Sequence, residues 1–328
     1  MNMLNLPKKV YFKKGSMCVA FKEIDEIYHA KRAFIISDAN LYRLGAVAPV
    51  TDFIRGRGIM TAEFFTIDAE PTFENVRSGL PKMLEYQPDF IIGVGGGSVM
   101  NVAKAMWLLY ENPDLDLNEA AKNFGTLEAD GASFPTVGNK AKLALLATTT
   151  ATGAECSPFI VLKNDAGEKC VIASYNLLPE IACVDSDYSE SMPADLTKKS
   201  GQTVLTQAVR AYVSEYASEY TQGFAREAVG VVFKYLEDAV KNGAKAPVAY
   251  ERLSYAAIFA AIALSNAAPT IDPNAVFYPT EDEKSADKIG ADALARIVDL
   301  AKHAGIKADS DKKVFEAWIA ACEAINSL

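Results

Sequence analysis

The chain has 328 residues, half of them hydrophobic and 23% charged, with a net charge of −9 from 33 basic and 42 acidic side chains. This is a globular composition, long enough for two domains of ordinary size and neither disordered nor membrane-like. An acidic surface repels phosphate backbones and argues against general nucleic-acid binding, and the absence of an apolar run of 18 residues predicts no membrane span.

In chain order, residues 10–12 read as a strand, 19–29 as an amphipathic helix and 32–38 (RAFIISD) as a buried strand ending in a polar turn. Residues 46–57 read as a helix, 61–67 (TAEFFTI) as a strand and 73–86 as a helix with a polar outer face. Residues 89–98 (DFIIGVGGGS) are an apolar run ending in three glycines, and 101–110 continue as a helix. Such alternation predicts a parallel sheet covered by helices on both faces, which accounts for strands without polar alternation. Residues 143–150, 159–163, 169–173 and 181–185 add strands. From about residue 192 the period is helical, over 193–218, 223–241, 247–266, 287–304 and 311–325. The fold class is therefore α/β followed by all-α, with the change near residue 190. Residues 267–287 hold three prolines and several acids and read as a surface loop.

The N-terminal stretch MNMLNLPKKVYFKKGS has no apolar core of a signal peptide, and the basic run KKVYFKK reads as a solvated strand end. The five cysteines are scattered without a CxxC pair, as expected of reduced thiols in a cytoplasmic protein. The two histidines, His29 and His303, cannot form a three-histidine metal site and are expected at helix ends.

Two features point to a dinucleotide. The run GVGGGSVMNVAKAMW joins an apolar strand to a helix. Its glycines let the backbone approach a bound group, and the helix N-terminus offers unpaired N–H donors to a diphosphate; a tight structural turn is the other reading. Asp38 ends the second strand of the α/β part, where an acid can accept from the adenosine ribose hydroxyls and repel a 2′-phosphate, favouring NAD over NADP. It also suits a helix N-cap, and the two roles are compatible. Further on, residues 200–218 (SGQTVLTQAVRAYVSEYAS) read as one helix. Thr203, Gln207, Arg210 and Ser214 form a polar stripe opposite an apolar face of Val204, Leu205, Ala208, Val209, Tyr212 and Val213. The stripe is either a solvated face or the wall of a site.

Six blocks in order (MLNLPKKVYFKKGS, IISDANLYRLG, PDFIIGVGGGSVMNVAKAMWLLYENP, LATTTATGAECSPF, GEKCVIASYNLLPEIACVDSDYSESMP and LTQAVRAYVSEYASEYT) together resemble the iron-containing alcohol dehydrogenase family. The resemblance is above all to the alcohol dehydrogenase domain of bifunctional acetaldehyde/alcohol dehydrogenases. It implies the dehydroquinate synthase-like architecture. A Rossmann-like dinucleotide-binding domain is expected over residues 1–190, and a helical domain over 191–328, truncated in its metal and substrate part. NAD(H) would lie in the cleft between them. By that resemblance Gly95, Gly96, Gly97 and Ser98 form the pyrophosphate turn, Asp38 is the adenosine-ribose acid, Thr148 and Thr149 line the cofactor cleft, and Lys169 lies near the nicotinamide half. Asn101 replaces an aspartate beside the nicotinamide, and Val99 replaces a helix-starting proline. The threonine run TTTATGAE is one glycine short near Ala151 and Thr152, just before Cys156.

The same resemblance places Thr203 and Gln207 where the family has an aspartate and a histidine that bind a divalent metal. The segment bearing two further histidine ligands is missing beyond Asn266, so no metal is expected. Arg210 would repel a cation and attract an anion, or point to solvent. Lys169 and Tyr212, the latter only if it is not a core residue, are weak substitutes for the metal in acid–base work. Three functions follow as expectations. The first is a degenerate relative, or pseudoenzyme, that binds NAD(H) without the catalytic metal, as a homo-oligomer or beside a partner dehydrogenase. The second is a metal-independent NAD(H)-linked oxidoreductase for a small aldehyde or anionic carbonyl compound. The third is an assembly subunit with no ligand. Neither nucleic acid nor membrane is an expected partner.

Overall fold

Six strands form one parallel sheet in the order β1-β8-β5-β4-β2-β3: β1 (Lys9–Phe12), β2 (Arg32–Ile36), β3 (Met60–Phe64), β4 (Phe90–Gly95), β5 (Lys142–Ala147) and β8 (Ile181–Val184). The computed structural model describes residues 3–128 and 133–328. The register runs from Phe90 beside Lys142 to Gly95 beside Ala147 at the centre of the sheet. Successive strand residues alternate between two cores, as a pleated strand requires. Phe34, Ile36, Ile91, Leu143 and Leu145 face α4 (Phe73–Tyr86) and α5 (Gly97–Glu111). Ala33, Ile35, Ile92, Ala144 and Leu146 face α1 (Ser16–Glu26) and α3 (Ala48–Gly56). Both faces are covered, so the strands can be apolar throughout.

The chain runs outward from β2 to β3, then returns to the other side of β2 as β4 and continues outward to β5 and β8. The order thus reverses between β2 and β4, and in open parallel sheets a crevice forms at the carboxyl ends of such strands. Asp38 follows β2 and the glycine turn follows β4, so both sit at that reversal. Two short helices, α2 (Ala39–Arg43) and α6 (Leu117–Asn123), have no counterpart in the sequence reading. The two expected strands 159–163 and 169–173 are β6 (Phe159–Lys163) and β7 (Lys169–Ala173). They leave the main sheet and pair antiparallel with each other, because the five residues between them close a hairpin in which Gly167 takes φ +81°.

Beyond Pro193 the fold is helical: α7 (Ala194–Val213), α8 (Glu219–Asn242), α9 (Pro247–Ala267), α10 (Ala291–His303) and α11 (Asp311–Ser327). The architecture is a parallel-sheet, Rossmann-like N-terminal domain followed by a helical C-terminal domain. Val204, Leu205, Ala208, Val209 and Tyr212 of α7 bury their apolar face among α8, α9 and Trp318. The expected helix 193–218 stops at Val213, because Ser218 and Thr221 form a capping box that starts α8. Tyr212 is a core residue, its hydroxyl held by Asp299 and by Arg226 Nε at 3.0 Å. Helix α9 has the length and composition of a membrane-crossing helix, with mean hydropathy 1.2, but 67% of that window is buried in the bundle.

One expectation is corrected outright. Residues 267–287 are not a surface loop throughout: Tyr278 is 2% exposed, its N–H donates to Thr206 Oγ1 at 2.9 Å, and its hydroxyl accepts from Trp318 Nε1 at 3.0 Å. Burying a large aromatic side chain is worth about 2–3 kcal/mol, which draws this proline-rich segment down onto α7. The basic N-terminal run is largely neutralised, with Lys8 on Glu180 at 2.9 Å and Lys9 on Glu23 at 2.6 Å. His29 lies just beyond α1, and His303 is the last residue of α10.

Candidate functional site

The glycine turn follows directly from β4. Gly96 is the N-cap of α5 and no side chain caps it. Among the described residues the backbone N–H groups of Gly97, Ser98 and Val99 have no acceptor, and the first helical bond runs from Met100 N to Gly96 O at 3.1 Å. That end of a 15-residue helix carries the positive pole of its dipole. The glycines also serve the fold. A Cβ on Gly96 would lie 3.2 Å from Thr149 Cγ2, and one on Gly97 would lie 2.9 Å from Thr152 Oγ1. The threonine loop therefore packs directly against the turn.

A cavity of about 1310 Å³ opens at this point between the sheet and the helical bundle. It brings together nearly all the residues singled out in the sequence: Asp38, Gly96, Gly97, Ser98, Asn101, Thr148, Thr149, Lys169, Thr203 and Gln207 all line it. Gly95 does not; it is the last residue of β4, beneath the turn, where Val99 covers it at 2.5 Å from a built Cβ. Asp38 caps α2 through one carboxylate oxygen, which accepts from Asn40 N at 2.8 Å and Leu41 N at 3.0 Å, while its second oxygen has no partner among the described residues. Several other lining side chains are tied to the backbone. Ser98 Oγ donates to Ala69 O at 2.7 Å, and Asn101 Oδ1 accepts from Val161 N at 3.2 Å. Thr148 extends the β4–β5 ladder through its N–H to Gly95 O at 3.0 Å. Lys169, exposed at the hairpin, lies 3.9 Å from Glu70, which Lys163 also holds.

The polar stripe of α7 forms the opposite wall: Thr203, Thr206, Gln207, Arg210 and Ser214 all line the cavity. Thr203 Oγ1 donates to Lys199 O at 2.9 Å within its own helix. Gln207 Nε2 donates across the cleft to Thr152 O at 3.2 Å, and its Oε1 is buried with no partner among the described residues. Arg210 Nη2 donates to Val276 O at 3.3 Å and forms no ion pair among the described residues. No group of three or more His, Cys, Asp or Glu side chains is arranged to hold a metal ion among the described residues. The loop from Ala268 to Phe277 lies at the same end of the cavity and is tied to the sheet side by Leu127 N to Pro269 O at 2.6 Å.

Cys156 lies outside the cavity lining, fully buried, and burial pushes its thiol up. Its neighbours were missed in the sequence. Lys104 and Glu155 are both buried, at 0% and 2% exposed. Burial pulls the Lys104 ammonium down to about 7, opposed by the nearby Glu155 carboxylate, and pushes the Glu155 carboxyl up to about 7, opposed by its own backbone N–H and by Lys104. The available signal was a single lysine inside the otherwise apolar run VAKAMWLLY.

Residues 7–186 match the iron-containing alcohol dehydrogenase family, and residues 197–272 match the C-terminal region of the Fe-containing alcohol dehydrogenases. The chain is 40% identical over 269 residues to the bifunctional aldehyde-alcohol dehydrogenase AdhE of Escherichia coli K12, covering 81% of this chain and 30% of that protein. Its fold is similar to that of the iron-containing alcohol dehydrogenase of Thermococcus thioreducens, with a TM-score of 0.85 and 27% identity over 99% of this chain and 86% of that one. The sulfoacetaldehyde reductase of Bifidobacterium kashiwanohense, solved in complex with NAD+, shares the fold with a TM-score of 0.76 and 21% identity over 100% of this chain and 85% of that one. From these matches and this architecture, the chain belongs to the iron-containing alcohol dehydrogenase family.

Proposed function

We propose that this chain binds NAD(H) in the cleft without the divalent metal of its family, as a degenerate relative of the alcohol dehydrogenases. The dinucleotide half is supported by the coincidence of three features at the sheet's reversal point: three unsatisfied N–H groups at the start of α5, Thr148 and Thr149 beside them in the cavity lining, and the uncommitted oxygen of Asp38. The free helix terminus suits a diphosphate, and the acid suits ribose hydroxyls. A protein of the same fold, the sulfoacetaldehyde reductase, has been solved with NAD+.

The observation that carries the metal half is the neutral donor set of this wall. Gln207, its Nε2 bonded to Thr152 O, offers a cation only an amide oxygen, and Thr203, one turn away with its hydroxyl proton on Lys199 O, offers only a hydroxyl oxygen. A hydroxyl and an amide are poor partners for a divalent cation, and Arg210 adds a positive charge to the same stripe. The donor set of this wall does not fit the ion. Hydride leaves an alcohol carbon readily only as its hydroxyl becomes an alkoxide; a bound metal promotes this as it lowers the pKa of water from about 15.7 to about 7. Among the described residues the stripe from Thr203 to Arg210 carries no carboxylate or imidazole to replace it, the carboxylates of the lining (Asp38, Asp68, Glu70, Glu215 and Asp272) lying off that stripe, so alcohol oxidation is expected to be lost.

Calorimetric titration with NADH, with and without added zinc or iron, together with elemental analysis of the purified protein, tests the proposal. Binding of NADH unchanged by metal, and no stoichiometric metal, is the expected result. A stoichiometric transition metal would refute the metal-free reading, and the absence of both heat and thermal shift would refute the dinucleotide reading.

Arg210 favours a second reading, a metal-independent NAD(H)-linked oxidoreductase for an anionic carbonyl compound. Its guanidinium lines the cavity and is bound only to a backbone carbonyl among the described residues, so it is free to take a carboxylate. A panel of aldehydes and oxo acids with NADH would show turnover of the anionic members and its loss in Arg210→Met. No turnover with any member removes this reading. The aldehyde and alcohol activities and the assembly of the much longer bifunctional relatives, of which this chain spans 30% of the length, are likewise open to it only as proposals.

A further inference from the structure

Lys104 lies in the middle of α5, seven positions beyond the helix start, and is fully buried. Its ammonium donates to Ala154 O at 2.7 Å, to Phe159 O at 3.3 Å and to Ser157 O. Those three acceptors match the three donors of a protonated lysine. All three residues line the cavity. The segment between them is a single 3-10 turn, Ala154–Cys156, followed by extended chain that joins β6 only at Phe159. One backbone bond continues the β6–β7 ladder into it, from Ser174 N to Pro158 O at 3.1 Å, and residues 154–157 have only the bonds of their own turn among the backbone groups of the described residues. On its other side Gly153 is pressed against α9, with a built Cβ only 2.4 Å from Ala257 O. A charge so deeply buried is tolerated because it is fully hydrogen-bonded and faces a buried acid. The titratable groups that face it are Glu155 and Cys156 of the same turn, with Cys183 of β8 beyond Glu155.

We propose that Lys104 is a positioning residue of the cleft: it ties the wall at residues 154–159 to the helix that presents the glycine turn, and so sets the width between them. For its effect on NADH this rests on the dinucleotide reading above; for its effect on the wall it does not. Loss of the proton leaves a neutral amine with one donor fewer and no charge assistance, and the tie weakens. Glu155 favours the charged form, so removing its charge makes Lys104 release its proton at lower pH.

Hydrogen exchange of the amides in residues 154–159 and NADH titration, on wild-type protein, Lys104→Met and Glu155→Gln, test this between pH 5.5 and about 9, bracketing the neutral range where the pair titrates. In Lys104→Met, exchange at 154–159 is expected to rise about tenfold with α7 to α9 little changed, and NADH affinity to fall about tenfold. In wild-type protein, protection of 154–159 changes as pH passes through neutrality, and in Glu155→Gln the midpoint of that change moves to lower pH. A residue serving only as packing would show no such midpoint shift. Unchanged exchange at 154–159 in folded Lys104→Met overturns the proposal. If that variant does not fold, an identical midpoint in wild-type and Glu155→Gln protein overturns it instead. Failure of wild-type protein to bind NADH sinks the dinucleotide reading alone, and the exchange measurements still decide the role of Lys104.

Discussion

Gln207 Nε2 donates to Thr152 O at 3.2 Å, so the central helix of the bundle is bonded directly to the loop that packs against the glycine turn. The bond also fixes which way the amide points: Thr152 O accepts only, so the carbonyl end of Gln207 must face away, where it has no partner among the described residues. Gln207→Leu removes a hydrogen bond worth about 1 kcal/mol but also an orphaned acceptor of similar cost. Urea denaturation should therefore show a change within about 1 kcal/mol. A loss of several kcal/mol would mean that the orphaned oxygen has a partner in solution.

Gly153 sits where that loop meets α9, at φ +58°. A methyl group there would lie 2.4 Å from both Ala257 O and Ala261 Cβ. Gly153→Ala combines left-handed strain with a backbone clash and should destabilise by about 3 kcal/mol or more. Gly167→Ala, at φ +81° but with open space around it, carries only the conformational term of about 1–2 kcal/mol. Chemical denaturation of the two variants side by side checks the contrast, and equal losses would show that the close approach to α9 is not rigid.

Asp38 caps α2, and a single substitution can separate that role from the one proposed for it at the ribose. Asparagine caps a helix about as well as aspartate, so Asp38→Asn should leave α2 intact and change stability by less than about 0.5 kcal/mol. It removes the charge that would repel a 2′-phosphate. Titration of both cofactors should show the NADPH-to-NADH affinity ratio rising about tenfold. An unchanged ratio would leave the carboxylate only its capping role.

The Lys104–Glu155 pair should imprint itself on stability against pH. Glu155 has a folded pKa raised from 4.5 to about 7, so its contribution is present below 4.5 and lost as pH rises through about 7. Lys104 has a folded pKa lowered from 10.5 to about 7, so its contribution is present above 10.5 and lost as pH falls through about 7. Together they hollow the profile near neutrality. Denaturation midpoints in Lys104→Met/Glu155→Gln, compared with wild-type protein from pH 5 to about 9, should show that hollow filled in. Parallel profiles would contradict the assignment.

Much of this molecule is legible in one dimension. Alternating strands and helices, the run DFIIGVGGGS and the break near residue 190 are local patterns, written in spacing and side-chain type, and they led to the parallel sheet, the turn and the helical half. The stripe of α7 was legible as well, because a 3.6-residue period decides which side chains share a face, whatever that face meets. What that face meets is another matter. The lengths of short elements and the pairing of β6 with β7 depended on caps and turn closure. The burial of Tyr278 needed Trp318, 40 residues away, and the cage around Lys104 needed carbonyls at least 50 residues away. Local period and propensity therefore determined the elements and their faces, whereas the cleft was decided only when β2, β4, the threonine loop and α7 were packed together. Hydrogen bonds and burial between distant segments leave no regular trace along the chain, and it is those contacts that made a wall out of a stripe and a tie out of a lysine.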